Sequence, residues 1–297
     1  MQTVKVSSQA KINLFLAITG KRSDGFHSLV SVVSQTGLKD ELAVSLAVTG
    51  FTLTCTHPLV PTDQRNLIIK AAHLFAEITG YKGGAHFTLN KVIPMGAGLG
   101  GGSSNAVACL KALSELTGLK IEASLLKRRS AELGSDCPLF LSPSPCVIRG
   151  RGETVDALPS LVLPRMTARE VIVFKPDFGI STAWAYAKMA ELKAAYISES
   201  EAERKLNAWV NNPDAPLEDL LFNAMQQVAF DKYPCLPIMA NRLQTLFGLT
   251  VLMSGSGSAC FALLPLKNRP NVASIIQEIR DTLGQSTFVT LTSLESI

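Results

Sequence analysis

Residues 12–18 alternate, with Ile12, Leu14, Leu16 and Ile18 on one side and Asn13, Phe15 and Ala17 on the other. Period-two spacing of this kind predicts a strand. Two more strands are predicted at Leu42–Val48 and Phe51–Cys55, joined by a turn at Thr49-Gly50. Phe87 and Leu89 alternate with His86, Thr88 and Asn90. Helical spacing appears after Asn66, where Leu67, Ile68, Ala71, Ala72, Phe75 and Ile78 share a face. It returns at Ala106, Leu110, Leu113 and Thr117, with Val107 beside them, and again over 121–133, where Gly134 is the expected C-cap. Beyond that the pattern thins, and Pro143, Pro145, Pro159 and Pro164 gather with Gly150 and Gly152. A domain boundary is expected near 160, dividing the chain into 1–160 and 161–297.

The second half predicts a strand at Val171–Phe174, helices over 182–195, 201–210, 217–229 and 236–247, and strands at Leu249–Met253 and Cys260–Leu264. A helix follows with Val272, Ile275, Ile276, Ile279 and Leu283 on one face, then a last strand near Thr287–Leu291. The acidic, polar run 198–204 reads as an exposed turn.

Between the alternation at Phe87–Asn90 and the helical face of Ala106 lies Pro94-Met95-Gly96-Ala97-Gly98-Leu99-Gly100-Gly101-Gly102-Ser103-Ser104. Five of these eleven residues are glycine. Ordering so much glycine is entropically costly and is tolerated where positive φ or close approach of a ligand is required. Ser103, Ser104 and Asn105 are good capping types. A glycine loop opening into a helix offers backbone N–H groups and the positive end of the helix dipole to a phosphate. The Walker pattern is excluded, because no Gly-Lys-Ser/Thr follows. Gly96, Gly98 and Gly101 satisfy G-x-G-x-x-G, but the acidic residue that a dinucleotide site wants about 20 residues on falls at Glu115 or Glu122, inside helical patterns. A second small-residue stretch, Ser254-Gly255-Ser256-Gly257-Ser258, separates two apolar strands. A hairpin needs only a two-residue turn, so this loop is expected to lie against another backbone or against the phosphate loop.

Composition narrows the class. A hydrophobic fraction of 47% with 18% charged residues describes a globular protein with a large core, and a net charge of +4 is too small to argue for nucleic acid. No apolar run approaches the ~18 residues a membrane span needs. The six cysteines show no C-x-x-C spacing and no clustered histidines, which points to reduced thiols in a cytoplasmic protein and to no dedicated metal site. Taken singly, Lys11 reads as a solvated lysine at a strand end, Asp136 as a turn aspartate, and His27 as a hydrogen-bonded buried histidine.

Four ordered motifs change those readings. Ala10-Lys11-Ile12-Asn13-Leu14-Phe15-Leu16, Arg22 to His27, Pro94 to Asn105 and Gly134 to Phe140, together with Ser254-Gly255-Ser256-Gly257, span nearly the whole chain. The chain resembles the superfamily of galactokinase, homoserine kinase, mevalonate kinase and phosphomevalonate kinase. Within it, the resemblance is closest to the 4-diphosphocytidyl-2-C-methyl-D-erythritol kinases of the non-mevalonate isoprenoid pathway. The resemblance implies an α+β, two-domain small-molecule kinase fold with its active site between the domains. It implies ATP on Pro94–Ser104 with Asn66 on the adenine side, and Mg2+ held mainly by phosphates. Lys11 and Asp136 become the catalytic pair on the acceptor hydroxyl, Asp136 as base and Lys11 as its cationic partner. Asn13 falls near the acceptor, and Phe26 and His27 at the cytidine end of a substrate carrying a cytidine diphosphate group. From the second half, Thr182 and Tyr186 join the substrate side, with Tyr186 rather than Trp184 stacking on the cytosine. Relatives often have tyrosine where this chain has Phe26, so any contact from that hydroxyl is missing here.

A kinase for another small alcohol is the competing reading, and Asp24-Gly25-Phe26-His27 argues against it. A non-catalytic nucleotide sensor on the same fold is disfavoured by the presence of both Lys11 and Asp136. The expected partners are small molecules only, with no nucleic acid or membrane, in a monomer or weak homodimer.

Overall fold

The computed structural model describes residues 3–192 and 196–295. The chain begins with two long strands, β1 (Thr3–Lys21) and β2 (His27–Ala47), which pair with each other. Next come β3 (Phe51–Cys55), α1 (Leu67–Thr79), β4 (Gly84–Asn90), α2 (Gly101–Thr117) and α3 (Ala123–Leu133). After a 3-10 turn at Pro138–Leu141 follow β5 (Cys146–Gly150), β6 (Thr154–Ala157), β7 (Glu170–Lys175), α4 (Thr182–Glu191) and α5 (Glu199–Asn211). The remainder is β8 (Phe222–Asn223), α6 (Gln226–Lys232), α7 (Cys235–Phe247), β9 (Val251–Met253), β10 (Cys260–Leu263), α8 (Val272–Leu283) and β11 (Phe288–Glu295). Among the described residues no helix is long and apolar enough to cross a membrane.

The chain forms two compact units, neither of them one continuous segment. The first comprises residues 1–10, 38–93 and 100–142, and the second 11–37, 94–99 and 143–297. The expected single cut near 160 differs from this division because β1 and β2 each contribute to both units. The 3-10 helix Ser160–Arg165, which follows Pro159 and contains Pro164, lies inside the second unit.

In the first unit β4 lies between β2, antiparallel from Glu41↔Asn90 to Ala47↔Gly84, and β3, parallel from Phe51↔Ala85 to Cys55↔Leu89. Helix α1 packs on α2 and on β3. Its start is fixed by Asn66, whose Oδ1 accepts from Ile68 N at 2.9 Å, and its end by Gly80 at φ 73°. Ile68, Phe75, Phe87, Leu89 and Ile93 are fully buried and form the core. Each is worth about 1.5–3 kcal/mol relative to an exposed side chain.

In the second unit the strands run β2-β11-β7-β10-β9, with β5 added on β2, β6 on β5 and β8 on β1. Phe15, Phe174 and Phe261 fill its core. Helix α8 packs on α7 and on β11.

Several sequence expectations need correction. Residues 217–229 are not one helix. A 3-10 turn (Leu217–Leu220) leads into β8, where Phe222 pairs with Phe15, and Ala224 N donates to Leu16 O at 2.9 Å. Strand pairing takes the backbone groups that a helix would have used. The run 198–204 is the start of α5, not a turn. Ser198 caps it, accepting from Glu201 N, and Glu199 and Glu201 sit at the positive end of the helix dipole. Gly134, by contrast, is the C-cap of α3 as expected, in an extended conformation (φ 178°). Residues 193–195 of the predicted 182–195 helix lie outside the described residues.

Candidate active site

In the second unit, Lys11 is buried in β1. Its backbone N donates to Leu99 O at 2.9 Å, and its Nζ donates to Asn13 Oδ1 at 2.7 Å. Asn13 Nδ2 in turn donates to Ser31 Oγ at 3.0 Å, and Ser31 Oγ donates to Phe15 O. Burying an ammonium is expensive unless it is hydrogen-bonded. The solvated reading of Lys11 therefore fails: this side chain is held in place.

The Ser254–Ser258 loop lies against Ala97 and Gly98. Ser254 Oγ donates to Gly98 O at 3.1 Å, and Ala259 N donates to Ala97 O at 3.1 Å. A Cβ on Gly98 would stand 2.2 Å from Ser254 O, closer than side chains tolerate, and Gly98 has φ +75°. Both facts require glycine there. A Cβ on Gly255 would stand 3.3 Å from Lys11 Nζ, so the buried amine abuts this second loop. Asn223 Nδ2 anchors the loop from behind, donating to Met253 O at 2.7 Å and Gly255 O at 2.9 Å, and Thr182 Oγ1 bonds Ser256 Oγ at 2.9 Å. Of the two expectations for this loop, contact with the Pro94–Ser104 loop is the one realised. Asn223 was missed because it stands in a stretch whose spacing reads as helix. Met95 and Gly96 are exposed, whereas Ala97 and Leu99 are buried and Pro94 is half-buried.

His27 is buried at the start of β2. Its ring stacks on Tyr186, with centroids 4.7 Å apart and planes 26° apart, and its Nε2 lies 3.0 Å from the Tyr196 hydroxyl. Burial, and then the charge of Lys21, lowers the His27 pKa from its ordinary 6.5. Phe26 is half-exposed, with the Arg151 guanidinium 5.2 Å over its ring.

In the first unit, Gly100 enters α2 at φ 69°, and the helix starts at Gly101 with no side-chain cap. Ser103, Ser104 and Asn105, expected as caps, are instead inside the helix, where their side chains do other work. Ser104 Oγ accepts from Ser8 Oγ at 2.9 Å, and Asn105 Nδ2 donates to Ser8 Oγ at 2.7 Å and Asp40 Oδ2 at 2.9 Å. A helix N-terminus without a protein cap keeps its first N–H groups for an anion. Gly102 adjoins the start of α1, since a Cβ there would lie 3.5 Å from Leu67 Cδ1. Asn66 is therefore near this turn, although its amide also serves α1 and donates to Pro61 O at 2.7 Å.

Asp136 is half-buried in the segment packed on the same turn of α2. A Cβ on Gly134 would stand 3.2 Å from Ser103 Oγ, and Cys137 Sγ donates to Ser103 O at 3.8 Å. Burial pushes the Cys137 thiol up to about 11, with the neighbouring Asp136 charge adding to it, so this thiol is no nucleophile. The fully buried Asp40 accepts from Val92 N at 2.7 Å, Ile93 N at 2.8 Å and Lys91 Nζ at 2.5 Å. It thus ties the segment before the glycine loop to the first turn of the helix after it, a role that no local pattern announces.

A glycine-rich helix entry and a strand-borne buried lysine on this α+β frame define a small-molecule kinase of the GHMP class. Residues 66–142 match the family model for the GHMP kinases N terminal domain. The 4-diphosphocytidyl-2-C-methyl-D-erythritol kinase of Methylacidiphilum infernorum is 36% identical over 95% of this chain and 93% of its own length. That of Gloeobacter violaceus is 33% identical over 100% and 97%. The chain belongs to the 4-diphosphocytidyl-2-C-methyl-D-erythritol kinase family. A crystal structure of 4-(cytidine 5'-diphospho)-2C-methyl-D-erythritol kinase superposes with a TM-score of 0.77 at 29% identity, covering 98% of this chain and 100% of that one. Homoserine kinase from Cytophaga hutchinsonii shares the fold, with a TM-score of 0.74 at 17% identity over 100% of this chain and 96% of its own.

Proposed function

We propose that this chain transfers the γ-phosphoryl group of ATP to the 2-hydroxyl of 4-diphosphocytidyl-2-C-methyl-D-erythritol, a step in the non-mevalonate route to isoprenoid precursors. The observation that carries it is the buried Lys11 ammonium, bonded to Asn13 and abutting the loop at Gly255 that packs on Gly98. The relatives' shared name supplies the acceptor. In this reading Asp136 takes the hydroxyl proton, and the oxygen forms a bond to the γ-phosphorus. The bond from that phosphorus to the bridging oxygen breaks, and ADP leaves. Lys11 stabilises the developing alkoxide and the phosphoryl charge, and Asn13 keeps its Nζ in place. Most of the acceleration comes from positioning and charge stabilisation, as in phosphoryl transfer generally.

Pro94–Ser104 cradles the triphosphate with backbone N–H groups, and Asn66 borders the adenine side. Mg2+ accompanies the nucleotide. In this reading phosphate oxygens and water carry most of the ion's coordination. His27 reads the cytosine edge, Phe26 and Tyr186 give it aromatic surface, and Thr182 lines the substrate side. The same reading has the enzyme act in the cytoplasm, as a monomer or weak homodimer, on a small molecule and not on nucleic acid or membrane.

An acceptor panel tests this. With ATP, the purified protein is expected to phosphorylate the diphosphocytidyl substrate and to leave galactose, homoserine and mevalonate untouched. Turnover of one of those three with no turnover of the cytidine compound overturns the reading.

A further inference from the structure

The imidazole of His27 carries two contacts of different kinds. Tyr186 covers a face of the ring, whereas the Tyr196 hydroxyl, with its ring centroid 5.9 Å away and tilted by 49°, addresses only the Nε2 edge. A neutral imidazole has one N–H and one lone pair, so whichever partner engages one nitrogen decides what the other can offer. Burial lowers the His27 pKa and raises the Tyr196 phenol above its ordinary 10.0, so at neutral pH the imidazole is uncharged and the phenol keeps its proton. Between those two neutral groups the phenol is the better donor and the imidazole nitrogen the better acceptor. The Tyr196 O–H therefore donates to Nε2, and the ring proton sits on Nδ1.

We infer that Tyr196 is a positioning residue that fixes the tautomer of His27, making Nδ1–H a hydrogen-bond donor with which this kinase selects cytosine over uracil. The inference rests on the cytidine-reading role proposed for His27 and adds how that reading is made selective. Cytosine shows acceptors at O2 and N3, whereas uracil carries a hydrogen at N3. An Nδ1–H aimed at that edge bonds the first base and meets a like donor on the second, which leaves a buried polar group unsatisfied. Were the proton on Nε2 instead, a bare Nδ1 lone pair would face the acceptors of cytosine and favour the wrong base. Nothing in the local sequence around Tyr196 marks it for this task, which arises only because the fold brings it to the far edge of the ring.

The test uses the full-length protein. ¹⁵N NMR of the ring nitrogens, with His27 assigned by its disappearance in His27→Gln, is expected to show protonated Nδ1 and bare Nε2 in the wild type. In Tyr196→Phe, which keeps the ring and removes the hydroxyl, the Nε2–H form is expected to appear. The KM for the cytidine substrate should then rise by about three- to tenfold with the KM for ATP unmoved, and the preference over the uridine analogue should shrink. An Nε2–H tautomer in the wild type overturns the inference, as does a Tyr196→Phe variant with unchanged tautomer and unchanged preference. The two readings fail separately. A wild type that shows the Nδ1–H tautomer but turns over no cytidine compound overturns the function proposal, whereas an active wild type with the Nε2–H tautomer overturns the tautomer inference alone.

Discussion

Asp136 and His27 are the two side chains on which the proposed chemistry and its selectivity turn, and each makes a measurable claim. A positioned base contributes about 10²- to 10⁴-fold in proton-transfer chemistry. Asp136→Ala is therefore expected to lose about that much kcat, close to all turnover, while ATP binding measured by calorimetry persists. Wild-type turnover in that variant refutes the base assignment. For His27 the sign follows from burial. The folded chain resists protonating this ring, with Lys21 opposing the charge and Tyr186 and Tyr196 packed against it, while the unfolded chain titrates at the ordinary 6.5. Between the two values the unfolded state binds more protons, so this group's contribution to stability is complete above 6.5 and declines as pH falls below it. The KM for the cytidine substrate follows the folded ring, and its lowered pKa, with Nδ1–H retained on protonation, leaves KM flat through 6.5. His27→Gln, which removes that donor, is expected to raise KM at every pH.

At the scale of elements, the glycine loop is held at both ends by one carboxylate. Asp40 accepts from the backbone of Val92 and Ile93 before the loop and from Asn105 in α2 after it, with Lys91 as its counter-charge. Removing one partner of a buried pair strands the other, at a cost of about 3–5 kcal/mol. Asp40→Ala is expected to lose that much in denaturant unfolding, and Lys91→Met in the same chain to restore part of it. A double variant no more stable than the single one would show that the loss comes from the freed backbone donors instead. Elements with one wet face were legible in the sequence: α1 and α8 carry clear apolar stripes. The first half of β2 was not, because residues 29–36 are buried on both faces and show no alternation, and two-residue β8 is too short to have a period. The strands β5 and β6 were hidden among prolines and glycines.

Across the whole molecule, what the sequence made visible was local and what it concealed was long-range. The Pro94–Ser104 loop, its helix and the lysine strand could be read from neighbouring residues. Asp40, Asn223 and Tyr196 could not, because each acts on groups brought near only by the fold. The discontinuous division of the chain follows from the same long-range pairing. Strand β11 is antiparallel to β7 from Phe288↔Lys175 to Ser293↔Glu170, and beyond that Leu294 pairs with Thr36 of β2. During synthesis, then, the second unit cannot close its sheet until residues near 295 have left the ribosome. Until that moment the edges of β7 and β2 that β11 covers stay open on the nascent chain.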